Sequence, residues 1–148
     1  MRKLWALTGI AAAAIVASTG AAPATAAAAP SATSVAAAAL ATSSDAPTDA
    51  SDVKTRIHSN RATLGTLQMR YGKYKGKTWI WARIEKPTKL ANDKYEITIV
   101  AKSTYLHKNI SGTSYTKAFE AKDSVKYYVC IAKINAATCT GSALTWIY

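Results

Sequence analysis

The sequence predicts an all-β fold, an antiparallel β-sandwich (Ig-like) of six or seven strands, and three observations predict it. From residue 53 onward, apolar side chains recur at every second position in several runs, the period of a strand buried on one face. Turn-forming residues separate those runs at short intervals: Gly72 and Gly76, Pro87 with Asn92 and Asp93, Gly112, Asp123 with Ser124, Asn135 and Gly141. No segment of that region repeats apolar residues at the period of an amphipathic helix. Short strands of this kind bury their apolar faces between two sheets or inside a small barrel, and the sandwich is favoured.

The chain opens with the pattern of an export signal. Arg2 and Lys3 precede an uncharged, strongly apolar stretch of 13 residues, 4–16, and Ala24, Thr25 and Ala26 supply a small-residue cleavage site. That stretch falls short of the roughly 20 apolar residues that cross a bilayer, so cleavage is expected and no membrane span remains after it. Residues 27–52 are rich in Ala, Ser, Thr and Pro, with Val35 and Leu40 as the only larger apolar side chains up to residue 50. So little apolar surface does not offset the entropy of ordering, and a flexible linker is expected. Residues 35–41 have high helix propensity, yet an isolated helix of that length is marginal in water.

The domain is then expected over residues 53–148. Leu67, Met69 and Tyr71 alternate with Gln68 and Arg70; Tyr95, Ile97, Ile99 and Ala101 with Glu96, Thr98 and Val100; Val125, Tyr127, Val129 and Ile131 with Lys126, Tyr128 and Cys130. Residues 79–84 are apolar on both faces, as in a strand covered on each side. Residues 115–121, 143–148 and 53–57 complete the set.

Cysteine count and charge narrow the setting. An even pair, Cys130 and Cys139, in an exported chain favours a disulfide, and two thiols without a nearby His make a poor zinc site. With Ile134 and Asn135 at a hairpin tip, Cys130 faces Cys139 across two antiparallel strands. Residues 51–148 hold 17 Lys and Arg against 6 Asp and Glu, so the whole charge excess of +11 lies there. Such a surface attracts polyanions: cell-wall phosphate polymers, acidic polysaccharides, anionic lipid or nucleic acid. Lysines that only keep a small exported protein soluble are the simpler account.

Residues 70–86 interleave cations with aromatic rings. Arg70, Lys73, Lys75 and Lys77 alternate with or flank Tyr71, Tyr74, Trp79 and Trp81, and Glu85 is the only acid. Cations beside aromatic faces suit stacking and phosphate contact, and tryptophan faces also suit sugar rings. The candidate polyanion- or carbohydrate-binding residues are Arg70, Lys73, Tyr74, Lys75, Lys77 and Trp79. Against this stands a plainer reading in which the tryptophans are core and the lysines a solvated loop. His58 and His107 are far apart and lack ligand-spaced partners, so no metal or cofactor site is expected. Glu85 and Glu96 would meet as a carboxylate pair if residues 87–93 closed a hairpin, although Arg83, Lys86 and Lys94 around them favour an ion-paired surface. No Gly-x-Ser-x-Gly elbow is present, and no enzyme is expected.

The pairs and runs Tyr71-Gly72, Tyr74, Gly76, Trp81-Ala82-Arg83-Ile84, Tyr115-Thr116-Lys117-Ala118-Phe119, Cys130-Ile131 and Cys139-Thr140 resemble a group of small secreted proteins of actinobacteria. The resemblance spans about residues 67–148 and implies a secreted, single-disulfide β-domain, with no site residues carried over. The chain departs from that pattern where residues 141–145 intervene before Trp146, Ile147 and Tyr148.

These readings converge on a secreted, non-enzymatic, monomeric β-sandwich that binds an anionic polymer or polysaccharide at the cell envelope. A secreted inhibitor or antagonist of another protein is the alternative.

Overall fold

Two antiparallel sheets face one another, built mostly from hairpins. The computed structural model describes residues 39–92, 94–136 and 139–148; the export signal expected over 1–26, and residues 27–38 of the expected linker, lie outside the described residues. In chain order the elements are β1 (Thr42–Ser43), α1 (Ala46–Asp49), β2 (Ser51–Arg61), β3 (Gly65–Tyr74), β4 (Lys77–Glu85), β5 (Tyr95–Ala101), β6 (Thr104–Asn109), β7 (Ser114–Tyr115), β8 (Ala118–Glu120), β9 (Lys126–Lys133) and β10 (Thr140–Ile147). The first sheet runs β1-β8-β4-β3-β2 with β7 also on β4, and the second runs β10-β9-β5-β6.

Alternation decides which side chains meet between the sheets. Leu67, Met69 and Tyr71 of β3 pair with Ile84, Ala82 and Ile80 of β4. They join one core with Ile97, Ile99 and Ala101 of β5, Tyr127, Val129 and Ile131 of β9, and Phe119 of β8. The chain leaves the first sheet after β4, returns after β6 and leaves again after β8. With β4 between β3 and β8, and β5 between β6 and β9, this is the Greek-key order of an immunoglobulin-like sandwich. A buried tyrosine marks the corner where β8 leads into β9. The Tyr127 hydroxyl donates to the Glu120 carbonyl at 3.2 Å and accepts the Lys122 N–H at 3.0 Å.

Ten strands are present among the described residues, against the six or seven expected. Counting β7 and β8 as one interrupted strand, seven answer to the expected segments, β2 among them over 53–57, and β1 and β6 are the additions. The interruption has a local cause at Thr116. Its N–H donates to the Ala82 carbonyl at 3.0 Å, but its side-chain hydroxyl accepts the Ala82 N–H at 3.1 Å in place of a ladder carbonyl. Register accordingly shifts by one residue between Arg83↔Tyr115 and Ile80↔Phe119. Strand β6 escaped the alternation pattern because it is an edge strand with five of its six residues exposed. Its hairpin with β5 turns at Lys102 and Ser103, both at positive φ (46° and 64°), without the Asn-Gly pair that would announce it.

The domain also begins earlier than expected. Leu40 enters the main core, β1 pairs Thr42 and Ser43 with Phe119 and Ala118, and Ala46 of α1 is fully buried. Ala46 lies with Ala118, Trp79 and Trp81 in a second cluster on the outer face of the first sheet. Residues 40–52 are therefore part of the domain, because small side chains let this strap lie flat over two indole rings.

The disulfide joins Cys130 to Cys139 as expected, with Cα atoms 5.7 Å apart. The hairpin register differs: Ile131 pairs with Thr140, and an irregularity follows before Val129 pairs with Leu144. Cys139 thus precedes β10 instead of facing Cys130 within it.

Candidate polyanion and sugar interface

The basic hairpin β3–β4 divides its side chains between two faces. Arg70 and Tyr74 lie on the outer face with Lys77 and Trp79, Lys73 falls on the inner-face side, and Lys75 occupies the tip with Gly76, both at positive φ. Lys73, Lys75 and Lys77 are exposed, as their placement in a turn and at strand ends requires. The Lys75 ammonium lies 4.9 Å from the Tyr74 ring centroid. Its interaction with the Tyr74 hydroxyl, with smaller contributions from Asp45 and Asp49, raises its pKa above the ordinary lysine value. Lys77 is committed to Glu120 at 2.9 Å, and Lys122 holds the other carboxylate oxygen at 2.6 Å. Hydrogen bonds from Lys122 and then Lys77 keep the Glu120 carboxyl below the usual carboxylate range.

The tryptophans of this hairpin are packed. Trp79 is 7% exposed, its indole N–H donates to the Tyr74 carbonyl at 3.0 Å, and Trp81 is 1% exposed. Arg70 is partly buried on the same face, and its Nε has no hydrogen-bond partner among the described residues. Burial, and then the neighbouring Arg83, lower its pKa, while Glu85 opposes them. The carboxylate of Glu85 is shared by Gln68 Nε2 at 3.0 Å and Arg83 at 3.6 Å. The six expected binding residues are thus not one continuous surface. Of these six, Lys73 and Lys75 are the exposed cations outside the described ion pairs.

The carboxylate pair does not form. Glu85 ends β4 in the first sheet and Glu96 lies in β5 of the second, so the chain changes sheet between β4 and β5 and the two strands form no hairpin. His58 on β2 and His107 on β6 are likewise in different sheets. Glu96 and His107 line an open hollow of about 360 Å³ on the outer face of the second sheet, with no hydrogen bond joining them. No group of three or more His, Cys, Asp or Glu is placed to hold a metal among the described residues.

A cleft that the hairpin composition did not announce lies at the open end of the sandwich. It measures about 300 Å³ and is lined by Asp52, Lys54, Tyr71, Gly72, Lys73, Thr78 and Tyr148. The inner-face positions of β3 and β4 run past the core here, so Lys73 and Thr78, a register pair, follow Tyr71 and Ile80. Lys73 Nζ donates to Thr78 Oγ1 at 2.7 Å, and the Tyr148 hydroxyl is 3.4 Å from the same oxygen. Tyr148 is set by Trp146 (5.3 Å between centroids), which in turn meets Tyr71 at 5.4 Å and lies under the Arg56 guanidinium at 5.3 Å. Gly72 lets the start of β2 come close: a Cβ there would be 2.9 Å from the Ser51 carbonyl oxygen. Strand β2 makes that approach with a register irregularity between Ser51 and Lys54, which carries Asp52 and Lys54 to the rim. The signal in the sequence was the aromatic ending Trp146 to Tyr148, legible as composition but not as a wall of this cleft.

Comparison with protein-family models, with curated proteins and with solved structures returns no match.

Proposed function

We propose that this chain is a secreted, non-enzymatic β-sandwich that binds an anionic polymer or carbohydrate at the cell envelope. One observation carries the reading. Every lysine of the domain, from Lys54 to Lys133, is exposed, whereas the described ion pairs draw only on Glu85 and Glu120. The charge excess therefore stays in solvent, where it raises the local concentration of a polyanion and speeds encounter with it. At the β3–β4 end Lys75 lies over the Tyr74 ring, and Lys73 lines the same cleft as Tyr71. The alternative is a secreted inhibitor or antagonist that presents a loop to another protein; the β3–β4 and β5–β6 connections are two-residue turns, which leaves that role to the longer β4–β5 and β9–β10 connections.

Replacing Lys73, Lys75 and Lys77 together by Gln tests the reading, with a glycerol-phosphate polymer and a polyglucuronate as probes. Binding is expected to weaken, and the slope of log affinity against log salt to fall by about 1–2, because fewer counterions are released. Lys77 contributes least, being paired with Glu120. Unchanged affinity and slope for both polymers would reduce the hairpin to a solvated surface.

A further inference from the structure

Beyond the diffuse charge, the sandwich end holds a cleft with the chemistry of a small-ligand site. We infer that the cleft between β2, β3 and Tyr148 holds one anionic sugar unit, a pyranose ring carrying a carboxylate or a phosphate. The inference rests on the reading of the chain as a binder of anionic polymer or carbohydrate, and it names the residues and the ligand unit.

Size comes first. About 300 Å³ is at the lower end of small-molecule sites, room for a ring and its substituents and not for a length of polymer. Chemistry comes second. Tyr71 and Tyr148 offer ring surface for the C–H face of a sugar, and Trp146, tilted against the first and edge-on to the second, fixes their position. Lys54 and Lys73 bring two ammonium groups to the same space, and among the described ion pairs none joins either to Asp52. One anionic substituent satisfies them, while the Asp52 carboxylate, the Thr78 hydroxyl as donor and the Tyr148 oxygen as acceptor have capacity left for sugar hydroxyls beside their bonds to Lys73 and to each other. The position is the third argument. Lys73 and Thr78 continue the inner-face rows of β3 and β4, where core alternation calls for apolar side chains. Polar groups at those positions keep the end of the sandwich open and wet.

The test titrates the purified protein with glucuronate, glucose 1-phosphate, glucose and inorganic phosphate, reading the Gly72 amide and Tyr148 ring resonances. Saturable shifts with glucuronate or glucose 1-phosphate are expected, and which of the two binds tells a carboxylate from a phosphate source. Lys54→Gln should weaken that binding about tenfold, the loss of one charge-assisted contact. Lys54 is exposed, so its melting temperature serves as the folding control, and Tyr148→Ala should abolish the sugar shifts while leaving polymer retention. Equal shifts with glucose would overturn the anionic requirement, and equal shifts with inorganic phosphate would overturn the sugar. Silence with all four ligands, while glycerol-phosphate polymer or polyglucuronate still binds with a salt slope, would overturn the cleft and leave the proposed function standing. Silence with ligands and polymers alike would remove both.

Discussion

Tyr127 shows how much one side chain can hold. Its ring is fully buried between the sheets, 6.4 Å from that of Phe119, while its hydroxyl caps two backbone groups of the β8–β9 connection. Burial raises its pKa above the ordinary tyrosine value, so the hydroxyl keeps its proton and its role as donor through neutral pH. Tyr127→Phe keeps the packing and strands the Glu120 carbonyl and Lys122 N–H; we expect a loss of about 1–3 kcal/mol in urea unfolding, and no loss would discount the corner. Glu120 next to it gives a pH dependence. Its folded-state pKa is depressed by Lys122 and Lys77, so its contribution is complete above the unfolded value of about 4.3 and is lost as pH falls through the lower folded one. Melting temperature measured from pH 6 downward should drop across that acid window, and Glu120→Gln should flatten this part of the profile. The inward place of Tyr127 is legible in its alternation with Lys126 and Tyr128. The partners of its hydroxyl are not, because they depend on where a connection between two sheets passes.

At the scale of elements, the strands with strict alternation were legible and the others were not. Strands β3, β5 and β9 each send their large apolar side chains to one face, so period two names them and their inward residues at once. Strand β4 is apolar on both faces for a reason the pattern allowed, since its outer face is covered too, by α1. What covers it could not be read, because an Ala, Ser, Thr and Pro composition has the same appearance in a linker and in a strap that packs by fitting flat. Ala46→Asp places a carboxylate against Trp79 and Trp81. We expect the strap to lift, tryptophan emission to shift to the red and stability to fall by about 1–3 kcal/mol, with the sandwich still folded. Unchanged emission would mean that the strap does not shield the indoles.

For the whole molecule, charge and cleft belong to different levels of description. The basic excess is a property of composition and was plain in the sequence; its exposure follows from lysines placed in turns and connections and at outward or terminal strand positions. The cleft depends on the tail of β10 arriving beside the start of β2, and those residues are far apart in the chain. No spacing rule joins Lys54 to Tyr148, which is why the hairpin composition pointed to a neighbouring surface and to buried tryptophans instead. The strap has one more consequence, a mechanical one. Only two residue pairs fasten β1 to β8, whereas β3 and β4 share nine. Tension applied to the chain ahead of Leu40 is met early by those two pairs, so the strap peels and uncovers the outer indoles well before the sheets come apart.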